Sequence, residues 1–265
     1  MRRNRRVKIL ATLGPSSSEQ DIIEKLYVAG ADVFRINMSH TDHDRLKMLV
    51  SRIRAVEEVT GRPIGILADL QGPKLRVGTF GDGPVMLENG AVFTLDADTS
   101  AGDVNRVHLP HPEILKALEP GHRLLLDDGK IQLRVTESSP TKAQTEVIVG
   151  GKLSDRKGVS VPDSEIATSA MTEKDHKDLI AALEQNVDWV APSFVQRPDD
   201  LAEVRKITRG RAGVLAKIEK PQAIGRLDEI IELSDAIMVA RGDLGVEMPL
   251  EQVPGLQKRI TRACR

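Results

Sequence analysis

Cysteine occurs once in the 265 residues, at Cys264. A lone thiol excludes a disulfide framework and fits a reducing compartment. Aromatic side chains make up 2% of the chain, too few for platforms on which nucleobases stack. Neither sign of charge prevails, since 38 Lys and Arg face 39 Asp and Glu. That balance argues against nucleic acid or a membrane surface as the partner of the whole chain. No apolar run is long enough to span a bilayer, and the one after the first arginines is too short for a signal peptide. These absences point to a cytoplasmic globular protein. The remaining composition supports a core: 40% of residues are apolar, 29% are charged and 21 are glycine, and the length allows one large or two small domains.

Short apolar, β-branched runs recur at 7–12 (VKILAT), 32–37 (DVFRIN), 64–69 (IGILAD), 188–193 (DWVAPS), 213–218 (GVLAKI) and 235–240 (DAIMVA). Near-continuous apolar character marks strands buried on both faces, as in a parallel sheet. Helical patterns lie between them. Ser16 and Glu19 spell a capping box ahead of Ile22, Ile23 and Leu26, and Leu46, Leu49, Val50, Ile53 and Val56 keep a helical period until Gly61. Further helices are predicted from Thr172, Pro198, Gln222 and Pro254, the last still running at Arg265. Strands recur about every 23 to 32 residues, the repeat of a (β/α)8 TIM-type barrel. From Pro73 to Pro162 the rhythm breaks into short alternating runs with Asn89-Gly90, Asp127-Asp128-Gly129 and Gly150-Gly151 turns. The chain therefore divides into barrel units at 1–72, an all-β insert at 73–162 after the third strand, and barrel units at 163–265. Six βα units are present, whereas a closed barrel needs eight.

In such barrels reactive groups lie at the carboxyl ends of the strands. Those positions hold Thr12, then Arg35, Asn37, Ser39 and His40, then Asp69, Ser193, Lys217 with Glu219, and Arg241 with Asp243. Alternation puts Lys217 and Glu219 on one face, and carboxylates from adjacent strands suit Mg²⁺ with positions left open for substrate oxygens. A neighbouring lysine would stabilise charge developing in phosphoryl transfer or enolate formation. Taken alone, a Lys-x-Glu pair is more often a structural ion pair. Gly242 and Gly245 permit tight backbone whose N–H groups could hold a carboxylate or phosphate.

Seven collinear stretches give the pattern a family likeness: 8–16 (KILATLGPS), 34–40 (FRINMSH), 68–76 (ADLQGPKLR), 124–129 (LLLDDG), 157–162 (KGVSVP), 216–220 (AKIEK) and 237–247 (IMVARGDLGVE). In these the chain resembles the pyruvate kinases. The resemblance implies transfer of a phosphoryl group from phosphoenolpyruvate to ADP, giving ATP and pyruvate, with Mg²⁺ or Mn²⁺ required. It implies Glu219 and Asp243 as ligands of the divalent metal, Lys217 and Arg35 as the catalytic pair, and Gly242 and Asp243 beside them in substrate binding. Asn37, Ser39, Asp69 and the Leu70 carbonyl match the monovalent-cation site, and Asn37, His40, Arg76 and Lys157 match the nucleotide side, over which the insert closes as a lid. Potassium-dependent members have an acidic residue where this chain has Lys74, and Gln71 and Val77 also look like the potassium-independent branch. The Lys74 ammonium is expected to make K⁺ dispensable, the alternative being that it points to solvent at the hinge.

A second departure concerns the Ala-Thr-Gln-Met stretch of the family's next strand, which this sequence lacks together with the last two barrel units and the regulatory domain. The expectation is a fragment of a longer protein, or a chain completed by a neighbour, with low activity and poor solubility alone. A homotetramer is expected of an intact member, part of whose interface lies in the missing domain. Two other functions compete: a metal-dependent aldolase or lyase acting on pyruvate enolates, and a catalytically dead remnant that only binds ligands. The arginines Arg2, Arg3, Arg5 and Arg6 read as a solvated arm, and the His40/His43 and His108/His111 pairs lack the companions of a zinc site. Cys264, in line with Leu256 and Ile260, is expected to be a small buried hydrophobe.

Overall fold

A computed structural model describes residues 6–164, 166 and 169–265; Arg2, Arg3 and Arg5 of the basic arm lie outside the described residues. The chain divides into two compact units. The first comprises Met1–Gly72, Ala170–Ile218 and Arg226–Met238, the second Pro73–Ser169, Glu219–Gly225 and Val239–Arg265.

The chain opens with β1 (Leu10–Thr12), α1 (Gln20–Ala29), β2 (Val33–Asn37), α2 (His43–Thr60) and β3 (Gly65–Asp69). The predicted capping box at Ser16 does not form. Pro15–Ser17 is a 3-10 turn whose carbonyl at Gly14 accepts from the Ser18 hydroxyl, and α1 starts only after Glu19. Proline at the head of the turn favours that tight conformation. In α2 the pattern holds: Asp42 caps the helix by accepting from Arg45 N at 2.8 Å, Gly61 ends it, and Leu46, Leu49, Val50, Ile53 and Val56 are its buried stripe.

The middle segment forms β4 (Val85–Leu87), β5 (Val92–Asp96), β6 (Arg106–His108), α3 (Pro112–Ala117), β7 (Arg123–Leu126), β8 (Ile131–Ser139), β9 (Lys142–Val149), β10 (Gly151–Leu153) and β11 (Val159–Ser160). Six of these strands order as β11-β7-β8-β9-β5-β6, and β10 pairs with β4. Alternation buries Phe93, Leu95, Leu124, Leu126, Leu133, Val135 and Val147 in this segment's own core. The Asp127-Asp128-Gly129 turn has φ of 49°, 57° and 82°, a left-handed run that Asp tolerates and Gly accepts freely. The short α3 breaks the expected all-β pattern; Pro112 starts it, and Ile114 and Leu115 are its buried residues.

The rest of the chain forms α4 (Glu173–Glu184), β12 (Trp189–Ala191), α5 (Pro198–Thr208), β13 (Gly213–Ile218), α6 (Pro221–Gly225), α7 (Leu227–Glu232), β14 (Ala236–Val239), α8 (Arg241–Glu247) and α9 (Val253–Ala263). Strand order is β1-β2-β3-β12-β13-β14, successive βα strands laid side by side. The fold is α/β, a partial TIM-type barrel whose sequence is interrupted by a β insert after the third strand. Leu10, expected to be buried, is 41% exposed, because β1 is an edge strand with one partner. The helix predicted from Gln222 is two, α6 and α7, broken at Arg226. Cys264 is exposed, a correction to its predicted burial. It lies beyond the last residue of α9, and each four-residue step turns about 40° off the Ile260 line.

Gly213 faces Trp189 across the β12–β13 register. A Cβ there would meet the indole at 2.7 Å. Gly213→Ala is expected to cost about 1–3 kcal/mol by overpacking, read by urea unfolding followed through the emission of Trp189, the sole tryptophan. An unchanged midpoint would contradict this packing.

Candidate active site

In the first unit one carboxylate organises the strand ends. Asp69, the last residue of β3, is 2% exposed. Arg35 of β2 donates from Nε to Asp69 Oδ2 at 2.7 Å and from Nη1 to the Thr12 hydroxyl at 3.0 Å. Lys217 of β13 places Nζ 3.1 Å from Asp69 Oδ1. That oxygen receives no hydrogen bond among the described residues, so the Lys217–Asp69 contact is one of charge. Lys217 donates instead to Ser193 Oγ at 2.6 Å, and Ser193 donates to the Leu70 carbonyl at 2.7 Å. Two cations share one carboxylate, which leaves this three-residue cluster with net positive charge. Such a site suits a phosphorylated anion.

The segment after β2 is fixed from both ends. Asn37 Oδ1 accepts from Ser39 N at 3.0 Å, and Met38 N donates to the Asp69 carbonyl at 2.9 Å. His40 is exposed and its N–H donates to the Asn37 carbonyl. Lys174 of α4 donates to the Met38 carbonyl at 2.9 Å and pairs with Asp178, which also meets His43 Nε2 at 2.9 Å. Asp175, fully buried, accepts from Gly72 N at 3.0 Å and from Thr172 N at 3.0 Å. Sequence reasoning passed over Lys174, Asp175 and Asp178. The signal available was the four-residue spacing of Lys174 and Asp178 on α4, where such residues share a face, and the capping-box spacing of Thr172 and Asp175.

The second unit carries the other candidates. Arg76 bridges to Gly158 in an antiparallel register, which brings Arg76 and Lys157 into neighbouring positions. Lys157 is paired with Asp127 at 2.8 Å; with Lys130 it holds that carboxyl below the usual carboxylate range. Lys74 is exposed and lines a cavity of about 400 Å³ with Arg76, His108, His111 and Arg156. Arg76 N donates to His111 Nε2 at 3.0 Å. Burial lowers the His111 pKa from its ordinary 6.5, against the opposing pull of Glu113. Glu219 is 4% exposed, while Asp243 and Gly242 lie exposed in the first turn of α8.

The residues 4–265 match the family model for the pyruvate kinase barrel domain. The chain belongs to the pyruvate kinase family. It is 63% identical over 265 residues to a pyruvate kinase of Methylorubrum extorquens, covering 100% of this chain and 55% of that protein. A pyruvate kinase of Agrobacterium vitis is 48% identical over 266 residues, 100% of this chain and 56% of its own length. One from Corynebacterium glutamicum is 45% identical over 265 residues, 99% of this chain and 56% of its own length. The chain thus spans a little over half the length of these relatives. The family implies a divalent metal. Two carboxylates offering hard oxygen donors fit Mg²⁺ or Mn²⁺, which bind through one or two carboxylates and keep positions for substrate oxygens.

Asp69→Asn leaves two partly buried cations without their shared carboxylate and is expected to cost about 3 kcal/mol in urea unfolding; equal or greater stability would contradict the arrangement. The His111 pKa is lower in the folded chain than in the unfolded one. Its contribution to stability is therefore complete above about pH 6.5 and lost as pH falls through the depressed folded value. An NMR titration of His111 should give a midpoint below 6.5, and one at or above that value would contradict it.

Proposed function

We propose that the protein containing this chain transfers the phosphoryl group of phosphoenolpyruvate to ADP, forming ATP and an enolate that is protonated to pyruvate. The observation that carries this reading is the pair of cations, Arg35 and Lys217, held on the single carboxylate of Asp69, in a chain of this family.

Phosphoryl transfer through a loose transition state calls chiefly for positioning and neutralisation of charge. Arg35 presents a planar set of donors to phosphate oxygens. Lys217, already aimed by Ser193, stabilises the charge that moves onto the enolate oxygen as the P–O bond breaks and ADP takes the phosphoryl group. Glu219 and Asp243 would hold the divalent ion, which when bound neutralises phosphoryl and enolate oxygens. Gly242 contributes its backbone beside Asp243 to substrate binding. Asn37, Ser39, Asp69 and the Leu70 carbonyl form the pocket that a monovalent cation takes in other members. Lys74 makes no hydrogen bond or ion pair among the described residues and is available to replace that cation. Asn37, His40, Arg76 and Lys157 serve the nucleotide, Lys157 by exchanging Asp127 for phosphate. The aldolase reading needs no nucleotide and is not favoured. Among the described residues no helix is long and apolar enough to cross a membrane.

A coupled assay on the full-length protein tests the proposal. Pyruvate should form only when phosphoenolpyruvate, ADP and Mg²⁺ are all present, and Lys217→Met should lower kcat by about 100-fold or more. Pyruvate formation without ADP, or an unchanged kcat in the variant, would refute it. The rate should not rise when K⁺ replaces Na⁺, and Lys74→Glu should make it do so; a marked K⁺ requirement in the parent protein would remove the role given to Lys74.

A further inference from the structure

Outside the Asp69 cluster, the second unit holds a buried ion pair that the proposed mechanism does not use. Lys220 Nζ contacts Glu247 Oε1, with the lysine side chain 10% and the glutamate side chain 4% exposed. Glu247 Oε2 is buried and has no hydrogen-bond partner among the described residues. Lys220 directly follows Glu219, just past the last residue of β13, and Glu247 lies four residues after Asp243 on α8. Residues four apart occupy one face of a helix, one turn from each other. The pair therefore stands one residue from one proposed metal ligand and one helical turn from the other.

We propose that Lys220 and Glu247 are a positioning pair that fixes the carriers of Glu219 and Asp243 relative to each other and so sets the divalent-metal affinity. A buried ion pair is a weak source of net stability, because apolar residues of similar volume often do as well. Its advantage is directional. Charge and hydrogen bonding hold α8 in one place against the Glu219–Lys220 segment of the same unit, where an apolar contact would let it slide. Gly245, on the same helix, lets Leu250 pack closely, since a Cβ there would meet Leu250 Cδ2 at 2.6 Å. That close contact ties α8 to the Leu250–Gln252 turn that follows it. Groups behind metal ligands commonly tune affinity this way, by orienting ligands they never replace.

The inference rests on Glu219 and Asp243 being the metal ligands, and the test separates the two claims. Mn²⁺ binding to the full-length protein is measured by electron paramagnetic resonance of the free ion, with folding checked by circular dichroism and Trp189 emission. Glu219→Gln should abolish binding, which establishes the ligand. Glu247→Gln should weaken Mn²⁺ binding by about 10- to 100-fold. The double variant Lys220→Met with Glu247→Leu removes the charges without stranding either one, so it should fold and still bind weakly. If either variant bound Mn²⁺ within about twofold of the parent while Glu219→Gln abolished binding, the positioning role would be overturned and the ligand assignment would stand. If Glu219→Gln left binding intact, the ligand assignment itself would fall, and the inference with it.

Discussion

The site depends on one buried carboxylate that must satisfy two cations from different strands. Asp69 ends β3, Arg35 comes from β2 and Lys217 from β13. A carboxylate with 2% exposure is costly unless it is paired. The pairing in turn fixes two long side chains that would otherwise sample many rotamers. Each cation is also held on a second partner, Arg35 on Thr12 and Lys217 on Ser193. Preorganisation of this kind lets donors meet developing negative charge without reorganising at the moment of reaction.

The sequence made much of this legible. Strand ends could be located because apolar runs stop at polar residues, and the residues at those stops include Arg35, Asp69, Ser193 and Lys217. Alternation and helical period recovered the βα repeat, the β insert and the buried stripe of α2. Contacts between distant segments were not legible. Nothing local to Ser193 says whether its hydroxyl serves the strand end or Lys217; the structure shows it serving both, through the Leu70 carbonyl and the ammonium. The same holds for Lys174 and Asp175, whose partners Met38 and Gly72 lie more than 100 residues earlier.

The misses have physical causes. At Ser16 a capping pattern was overridden by Pro15, which tightens the backbone into a 3-10 turn. Cys264 was placed by extending a helical stripe past the point where α9 ends. Leu10 looked like a strand interior because apolar runs do not reveal whether a strand has one neighbour or two.

Under the proposed function, the cations on Asp69 bind the phosphoryl group of phosphoenolpyruvate. Equilibrium binding of phosphoenolpyruvate to the full-length protein, with Mg²⁺ present, tests it directly through Arg35→Met. Removing one partner of a charge-assisted contact should weaken binding by about 30-fold or more, in a variant whose circular dichroism is unchanged. Binding within about twofold of the parent protein would contradict the account.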